Sequence, residues 1–267
     1  MCVISERPIS YDQLVEEFKA LGITEGMNIL VHSSLKSLGG WIPGSAETVI
    51  LALEAVLGES GTLIMPTQTS QLTDPKGWMY PPAEQRWWNL IRESMPPYDP
   101  DFTVTTGMGV IAETFRKQKG VYRSAHPQVS FAAWGKHAEE WMSDHDLDFG
   151  LGSHSPLQDL YHANGYVMML GTTYHTNTSI HLAEYIAEWN GKKEITMKAP
   201  MMTDEGKQWV KFKDLNFDSD DFDEIGADFE QDCPHLFTQG YIAKAKTLLI
   251  QQRGLVDYAA GWLETHR

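Results

Sequence analysis

The chain has 267 residues, 42% hydrophobic and 21% charged, an ordinary globular composition that excludes disorder as an overall description. Its 36 acidic residues against 21 basic ones leave a formal net charge of −15, which repels nucleic-acid phosphates and attracts cationic small molecules. No apolar run is long enough for a bilayer, residues 1–8 lack the basic-then-apolar order of a signal peptide, and the two cysteines, Cys2 and Cys233, form no CxxC pair or disulfide framework; the expectation is a cytoplasmic protein with two free thiols and no membrane partner.

In chain order, Ser10 reads as an N-cap with Gln13 as its capping-box partner. The helix that follows carries Leu14, Val15, Phe18 and Leu21 at helical spacing and stops at Gly22. A buried strand over 28–32 leads into a Ser/Gly-rich turn over 33–44, a helix over 45–57 and a second strand over 62–65, together a βαβ unit that implies a parallel sheet covered on both faces. Residues 71–102 hold Pro75, Pro81, Pro82, Pro96, Pro97 and Pro100 with Trp78, Trp87 and Trp88. They read as a long connection around one short helix over 83–93, of the kind that serves as a lid or binding loop. A helix over 107–117, strands over 129–134 and 166–170 and a helix over 179–189 continue the α/β pattern. From residue 194 it changes: 194–199 and 208–215 alternate like a hairpin, 214–232 holds nine acidic residues and no Lys or Arg, and two helices are expected over 241–251 and 255–266. The pattern gives an α/β core with an added antiparallel or helical C-terminal portion, read as one domain over 1–267.

Three segments carry residue types suited to chemistry. The turn after the first strand, His32-Ser33-Ser34-Leu35-Lys36-Ser37-Leu38-Gly39-Gly40, sits where open α/β sheets bind ligands and offers N–H groups, hydroxyls and Lys36 to a phosphate, although it is neither a Walker A nor a GxGxxG sequence. It equally describes a plain βα turn. Arg123-Ser124-Ala125-His126-Pro127-Gln128-Val129-Ser130 offers a guanidinium for bidentate phosphate binding; the plainer account is a surface loop whose histidine caps something local. In 171–184, a polar loop runs from a buried strand to a helix start near Ser179. His181 and Glu184 lie at i and i+3 on one face, where a carboxylate fixes the imidazole tautomer and raises its basicity; Thr178 and Ser179 stand where an oxyanion would be met. The alternative is a helix capped by Thr178 with a partly exposed His–Glu pair.

A zinc site built from His154, His162, His175 and His181 lacks HExxH or paired-Cys spacing, so no metal is expected. Residues 218–224 resemble a calcium loop only superficially, because Asp223 stands where glycine is required. Phe222, Ile225 and Phe229 instead have helical spacing and predict a solvated acidic helix packed on its apolar side, which could also line a site for a polyamine. No G-x-S-x-G elbow supports a serine hydrolase.

Taken together, these segments resemble the motifs of the aminoglycoside 3-N-acetyltransferase family. Val31-His32-Ser33-Ser34-Leu35-Lys36-Ser37-Leu38-Gly39 is similar to its first signature. Arg123-Ser124-Ala125-His126-Pro127-Gln128-Val129-Ser130-Phe131-Ala132-Ala133-Trp134-Gly135 is similar to its R-S-x-H-P segment. Thr176-Asn177-Thr178-Ser179-Ile180-His181-Leu182-Ala183-Glu184 is similar to its N-T-x-x-H-x-x-E segment. Met65-Pro66-Thr67 and Gly150-Leu151-Gly152-Ser153-His154-Ser155-Pro156-Leu157 fall in the same familiar order.

The resemblance implies a three-layer α/β/α sandwich with a mostly parallel central sheet and an added C-terminal hairpin and helical portion. It implies an enzyme that transfers acetyl from acetyl-CoA to a cationic amine, foremost the 3-amino group of a 2-deoxystreptamine aminoglycoside. CoA phosphates and the pantetheine arm would be held through Ser33, Ser34, Leu35, Lys36, Ser37, Arg123, Ser124, His126 and Ser130. His181 would be the base, Thr178 an oxyanion donor, and Glu184 or Glu224 the carboxylate that orients His181. Transfer to a non-antibiotic metabolite amine, a non-catalytic CoA-binding protein and a histidine-based metal hydrolase stand as alternatives. Monomer and homodimer both fit the exposed aromatics.

Overall fold

Strands with buried residues at every position need cover on both faces, and the computed structural model shows how this chain supplies it; it describes residues 7–267. The free-thiol reading of Cys2 and most of the stretch read against a signal peptide lie outside the described residues. The order is α1 (Tyr11–Leu21), β1 (Asn28–Ser33), α2 (Ala46–Leu57), β2 (Thr62–Pro66), α3 (Trp88–Ser94), α4 (Gly109–Phe115), β3 (Tyr122–Arg123), β4 (Phe131–Gly135), α5 (Ala138–Ser143), α6 (Pro156–His162), β5 (Tyr166–Leu170), α7 (Thr178–Ile186), β6 (Glu194–Thr203), β7 (Gly206–Leu215), α8 (Phe222–Asp232), β8 (Phe237–Ile242), β9 (Ala245–Gln251) and α9 (Gln252–His266).

Seven strands form one mixed sheet in the order β3-β4-β2-β1-β5-β9-β8. Its centre is parallel, β2 and β5 both running with β1, and both flanks are antiparallel. Successive side chains on a strand point to opposite faces, and the core divides accordingly. Ile29, Val31, Leu63 and Met65 pack with Leu14, Phe18, Val49, Leu53 and Phe115 from α1, α2 and α4. Leu30, Ile64, Val167 and Met169 pack with Trp141, Leu157, Ile180, Phe222 and Val256 from α5 to α9. The result is an α/β/α sandwich. No helix among the described residues is long and apolar enough to cross a membrane.

Several expectations shift at their edges. Ser10 caps α1 by accepting from the Gln13 N–H, and Gly22 closes it in the left-handed region at φ 108°. Gln13 turns its own amide to Glu17, 2.9 Å away, so the reciprocal half of the capping box is not made. The short helix expected over 83–93 becomes a 3-10 turn and α3.

The largest correction concerns 241–251, expected as a helix. It forms part of the β8–β9 hairpin, and β9 pairs with β5 from Tyr166↔Gln251 to Leu170↔Thr247. The reason is tertiary: β5 would otherwise be a bare sheet edge, and Leu248, Leu249 and Ile250 reach both apolar layers only as a strand.

The second hairpin, β6–β7, stands apart as a two-stranded sheet. It anchors the proline- and tryptophan-rich excursion. The Lys207 ammonium donates to the carbonyls of Arg92, Glu93 and Met95, the Trp209 indole donates to Arg92 O, and the Tyr98 N–H donates to Pro200 O.

Candidate active site

The three parallel strands end side by side, at Ser33, Pro66 and Leu170. The carboxyl edge of such strands is where α/β sheets place ligands. A cavity of about 280 Å³ opens there, lined by His32, Ser33, Pro66, Gln68, Gly107, Met108, Thr172, His175, Thr176, Thr178, His181 and Ser219 among others.

His181 is fixed from behind. Asn177, rather than Thr178, caps α7: its side chain accepts from the Ser179 N–H at 3.1 Å. That leaves the Thr178 side chain on the cavity wall. One turn on, His181 Nδ1 lies 2.5 Å from Glu184 Oε2, the histidine side chain 13% exposed and the glutamate fully buried. An ionised carboxylate only accepts, so Nδ1 carries the proton and the lone pair is on Nε2. The Phe217 and Phe222 rings flank the imidazole, each with its centroid 4.7 Å away. Of the two carboxylates named for this duty, Glu184 makes the contact; Glu224 lies on the exposed side of α8.

Glu184 is itself held by two more donors, the Arg267 guanidinium at 2.5 Å and the Asp218 N–H at 2.9 Å, both on Oε1. The acidic segment packs as α8, with Phe222, Ile225 and Phe229 buried, and Asp223 ties the loop before α7 by accepting from the His175 N–H at 2.8 Å. Gly226 faces Tyr174 so closely that any Cβ there would strike the ring.

A second histidine belongs to the site. His32, at the end of β1, is buried, and its Nε2 accepts from the Thr178 N–H at 3.3 Å. Burial, and then the proximity of His181, hold its pKa down to about 3. His32 is therefore a neutral acceptor that pins the start of α7. The Thr178 N–H is thereby committed, which leaves the Thr178 hydroxyl, not its amide, available to an oxyanion. His32 stands inside the first motif, yet its position between two apolar faces of the sheet is set by register, which residue spacing alone does not show.

Of the residues named for CoA, Ser33 lines this cavity, and the structure does not bring the others to it. Ser34 and Ser37 frame the turn: the Ser37 hydroxyl lies 2.8 Å from Ser34 Oγ and donates to Gly171 O at 2.9 Å. Gly171 has φ +66°, and a Cβ there would collide with Ser37. Leu35 is half-buried and Lys36 is exposed on the same 3-10 turn.

Arg123 donates to Thr67 Oγ1, Ser130 Oγ and the carbonyls of Thr67, Pro100 and Thr103. A guanidinium so occupied works as a knot between β2, β3 and the excursion. Ser130 is wholly buried and donates to Thr67 O. His126 accepts the Gln128 and Val129 N–H groups on Nδ1, donates from Nε2 to Leu147 O, and stacks on His145 at 5.0 Å. Ser124 Oγ lies 2.8 Å from His145 Nδ1 and accepts the Phe131 N–H. These residues form a largely buried framework around the start of β4, which lies between β2 and the edge strand β3.

Arg123→Ala is accordingly expected to lower unfolding free energy by about 3 kcal/mol, since several buried carbonyls lose charged donors. CoA affinity of the folded fraction should stay within a few-fold. Calorimetry that shows affinity falling more than tenfold without loss of thermal stability would restore the phosphate-clamp reading.

Of the four histidines weighed together for a metal, His175 and His181 line the cavity, whereas His162 pairs with Gln158 on α6. Among the described residues, no group of three His, Cys, Asp or Glu is arranged to hold an ion.

A carboxylate-backed imidazole facing a cavity at the carboxyl edge of parallel strands is an arrangement suited to general-base chemistry. A model of the aminoglycoside 3-N-acetyltransferase family matches residues 30–264. The chain belongs to that family and is an acyltransferase of its type.

It is 43% identical over 256 residues to the SPbeta prophage-derived aminoglycoside N(3')-acetyltransferase-like protein YokD of Bacillus subtilis (strain 168), covering 96% of this chain and 92% of that one. The crystal structure of YokD superposes with a TM-score of 0.93 at 42% identity, over 98% of this chain and 95% of that one. Aminoglycoside N(3)-acetyltransferase III of Pseudomonas aeruginosa is 32% identical over 263 residues, covering 97% and 94% of the two chains. AAC-IIIb, solved as a binary complex with CoASH, gives a TM-score of 0.84 at 30% identity over 96% of each chain.

Proposed function

We propose that the protein transfers the acetyl group of acetyl-CoA to an amine of an aminoglycoside, with His181 as general base. The observation that carries this reading is the His181–Glu184 pair, whose free imidazole nitrogen belongs to the cavity wall. An amine is mostly protonated at neutral pH and does not attack. His181 Nε2 removes its proton, and the nitrogen lone pair forms a C–N bond at the thioester carbonyl. The tetrahedral oxyanion meets the Thr178 hydroxyl. Collapse breaks the C–S bond, and CoA leaves as the thiol, taking the proton from His181. The acylated nitrogen keeps a second excess proton through collapse and gives it to solvent, so that an ammonium and acetyl-CoA become an amide, the CoA thiol and one free proton, without metal or covalent enzyme intermediate.

Family membership, and a structural neighbour crystallised with CoASH, support the donor. The names of the relatives and the net charge of −15 support a cationic aminoglycoside as acceptor.

The test follows thiol release from acetyl-CoA against a panel of aminoglycosides and simple amines. Release is expected to need a 2-deoxystreptamine aminoglycoside, and to fall by about 10²–10⁴-fold in His181→Ala with CoA binding retained in calorimetry. Turnover of simple amines alone would move the acceptor to a metabolite. Loss of CoA binding to the wild type would remove the proposal.

A further inference from the structure

His181 and Glu184 lie in one stretch of sequence, but the group that completes them arrives from the far end of the chain. Arg267 caps α9, its N–H bonded to Leu263 O. Its side chain is almost enclosed. Nη1 donates to Glu184 Oε1 at 2.5 Å, Nε and Nη2 donate in a fork to the two carboxylate oxygens of Asp221 at 2.6 Å each, and Nη2 also donates to Asp218 O at 2.7 Å. The guanidinium lies over the Trp189 ring, 5.0 Å from its centroid. This is the planar, multiply bonded geometry that arginine provides and lysine does not.

Resting on the acetyl-transfer reading above, we propose that Arg267 is a positioning residue of the active site, fixing the Glu184 carboxylate and neutralising it so that His181 is held in the Nδ1–H tautomer.

The physical argument starts from Glu184. A fully buried carboxylate with two free oxygens can rotate, can take a proton itself, or can bind the imidazolium so strongly that His181 never gives its proton back. Each alternative removes the base. Two donors on Oε1 settle the rotation, because they fix which oxygen faces the histidine. The Arg267 charge settles the other two. It pairs directly with the carboxylate, and it repels the imidazolium enough that the dyad releases its proton to the departing thiolate. Asp221 keeps Arg267 from swinging into solvent. Against the desolvation of partial burial, the bonds to Asp221 and Glu184 hold Arg267 above the usual arginine range, so its charge is permanent.

The remaining groups that face the dyad are few. His32 from β1 is neutral, held down by burial. Asp214 from β7 is shifted upward by burial and accepts from the Tyr185 hydroxyl. His175 and Ser219 lie on the cavity wall, and Phe217 and Phe222 are apolar. Among these, Arg267 brings the permanent positive charge bonded to Glu184.

The experiment compares wild type, Arg267→Ala and Arg267→Lys by pH–rate profile and by ¹⁵N NMR of the histidine side chains. In Arg267→Ala, kcat/KM at pH 7 is expected to drop ten- to a hundredfold. The acid limb of its profile should move by half a pH unit or more toward higher pH, because the imidazolium has lost a repelling charge. The His181 ring signals should change from the Nδ1–H pattern to a mixture. Arg267→Lys keeps the charge and loses the fork, so it should restore the limb and only part of the rate. If Arg267→Ala does not fold, Arg267→Lys carries the test: an unchanged rate and tautomer sinks the proposal.

A merely structural Arg267 would lower melting temperature and leave both limb and tautomer in place, which also overturns the proposal. Should no amine be acetylated by the wild type, the acetyl-transfer reading fails, while the NMR arm still decides the role of Arg267.

Discussion

Glu184→Gln is expected to cost about a thousandfold in kcat while leaving CoA affinity nearly unchanged. The substitution keeps shape and removes charge, so its effect isolates what the carboxylate does. Arg267 and the Asp218 N–H both donate to Oε1, so the glutamine carbonyl is forced to that position. Its NH₂ then faces His181 Nδ1, where Oε2 stood at 2.5 Å. Two donors cannot share a bond. The imidazole must change tautomer, presenting N–H rather than a lone pair to the cavity, and a general base becomes a donor. Losses of about 10²–10⁴-fold are typical when a proton-transfer group is disabled with its geometry intact.

Glu184→Ala should behave differently. It leaves a buried guanidinium half-compensated, and breaking such a pair costs about 3–5 kcal/mol; the alanine variant is expected to be both inactive and unstable, the glutamine variant inactive and folded. Steady-state kinetics with saturating acetyl-CoA, beside thermal melts of both variants, separates these outcomes. A glutamine variant within tenfold of wild type would remove the orienting role from Glu184 and with it the tautomer argument.

How legible each feature is in the sequence depends on the distance over which it is decided. α1 is written locally, in a cap, a glycine stop and an apolar stripe, α2 in its apolar residues, and α8 is legible from Phe222, Ile225 and Phe229 despite its acidity. The i, i+3 spacing of His181 and Glu184 likewise places them on one face from sequence alone. The segment over 241–251 reads as a helix but folds as a hairpin because its residues suit either form equally, and the choice is made by the unpaired edge of β5, far earlier in the chain. Arg267 is illegible for the same reason: nothing near residue 267 announces a carboxylate on α7.

The framework around Arg123 shows a third case, in which residue types alone leave the role open. The residue types in Arg123-Ser124-Ala125-His126 suit anion binding and buried polar networks alike, and what decides is whether the segment lies on the surface or beneath the excursion. Carbonyls from Pro100 and Thr103, which descend onto Arg123 from that excursion, decide it here. The motif resemblance identifies the family correctly because family motifs include framework as well as chemistry. Position in a motif therefore names a residue that matters, without naming what it does.

Acid lability is expected to set in at mildly acidic pH, from His32 at the cavity and from His126 and His145 in the framework. His32 and His126 are buried and His145 is half-buried, with pKa values lowered to about 3, about 3 and about 4. Burial is the main cause in each; the charge of His181 adds to it for His32, and that of His145 for His126. The unfolded chain takes up protons on these rings near pH 6.5, and the folded chain does not. Stability from the three neutral rings is therefore fully present above about pH 6.5 and is lost as the pH falls from there toward 4 and 3.

At pH 5 each ring contributes about 2 kcal/mol less than at pH 7, and unfolding takes up about three protons. That is a large part of the 5–15 kcal/mol of a typical domain. Asp159 works in the opposite sense. Burial, with Asp144 and Glu140 nearby, raises it to about 6, so acid relieves its desolvation; being half-buried, it offsets only a fraction of the loss.

Denaturant unfolding followed from pH 8 to pH 4.5 should show the slope in free energy, and His126→Asn, whose amide oxygen can still accept at the Nδ1 position, should reduce it by one proton. A flat stability profile between pH 7 and pH 5 would mean that these rings open to water before they titrate, and that the knot around Arg123 is looser than its hydrogen bonds describe.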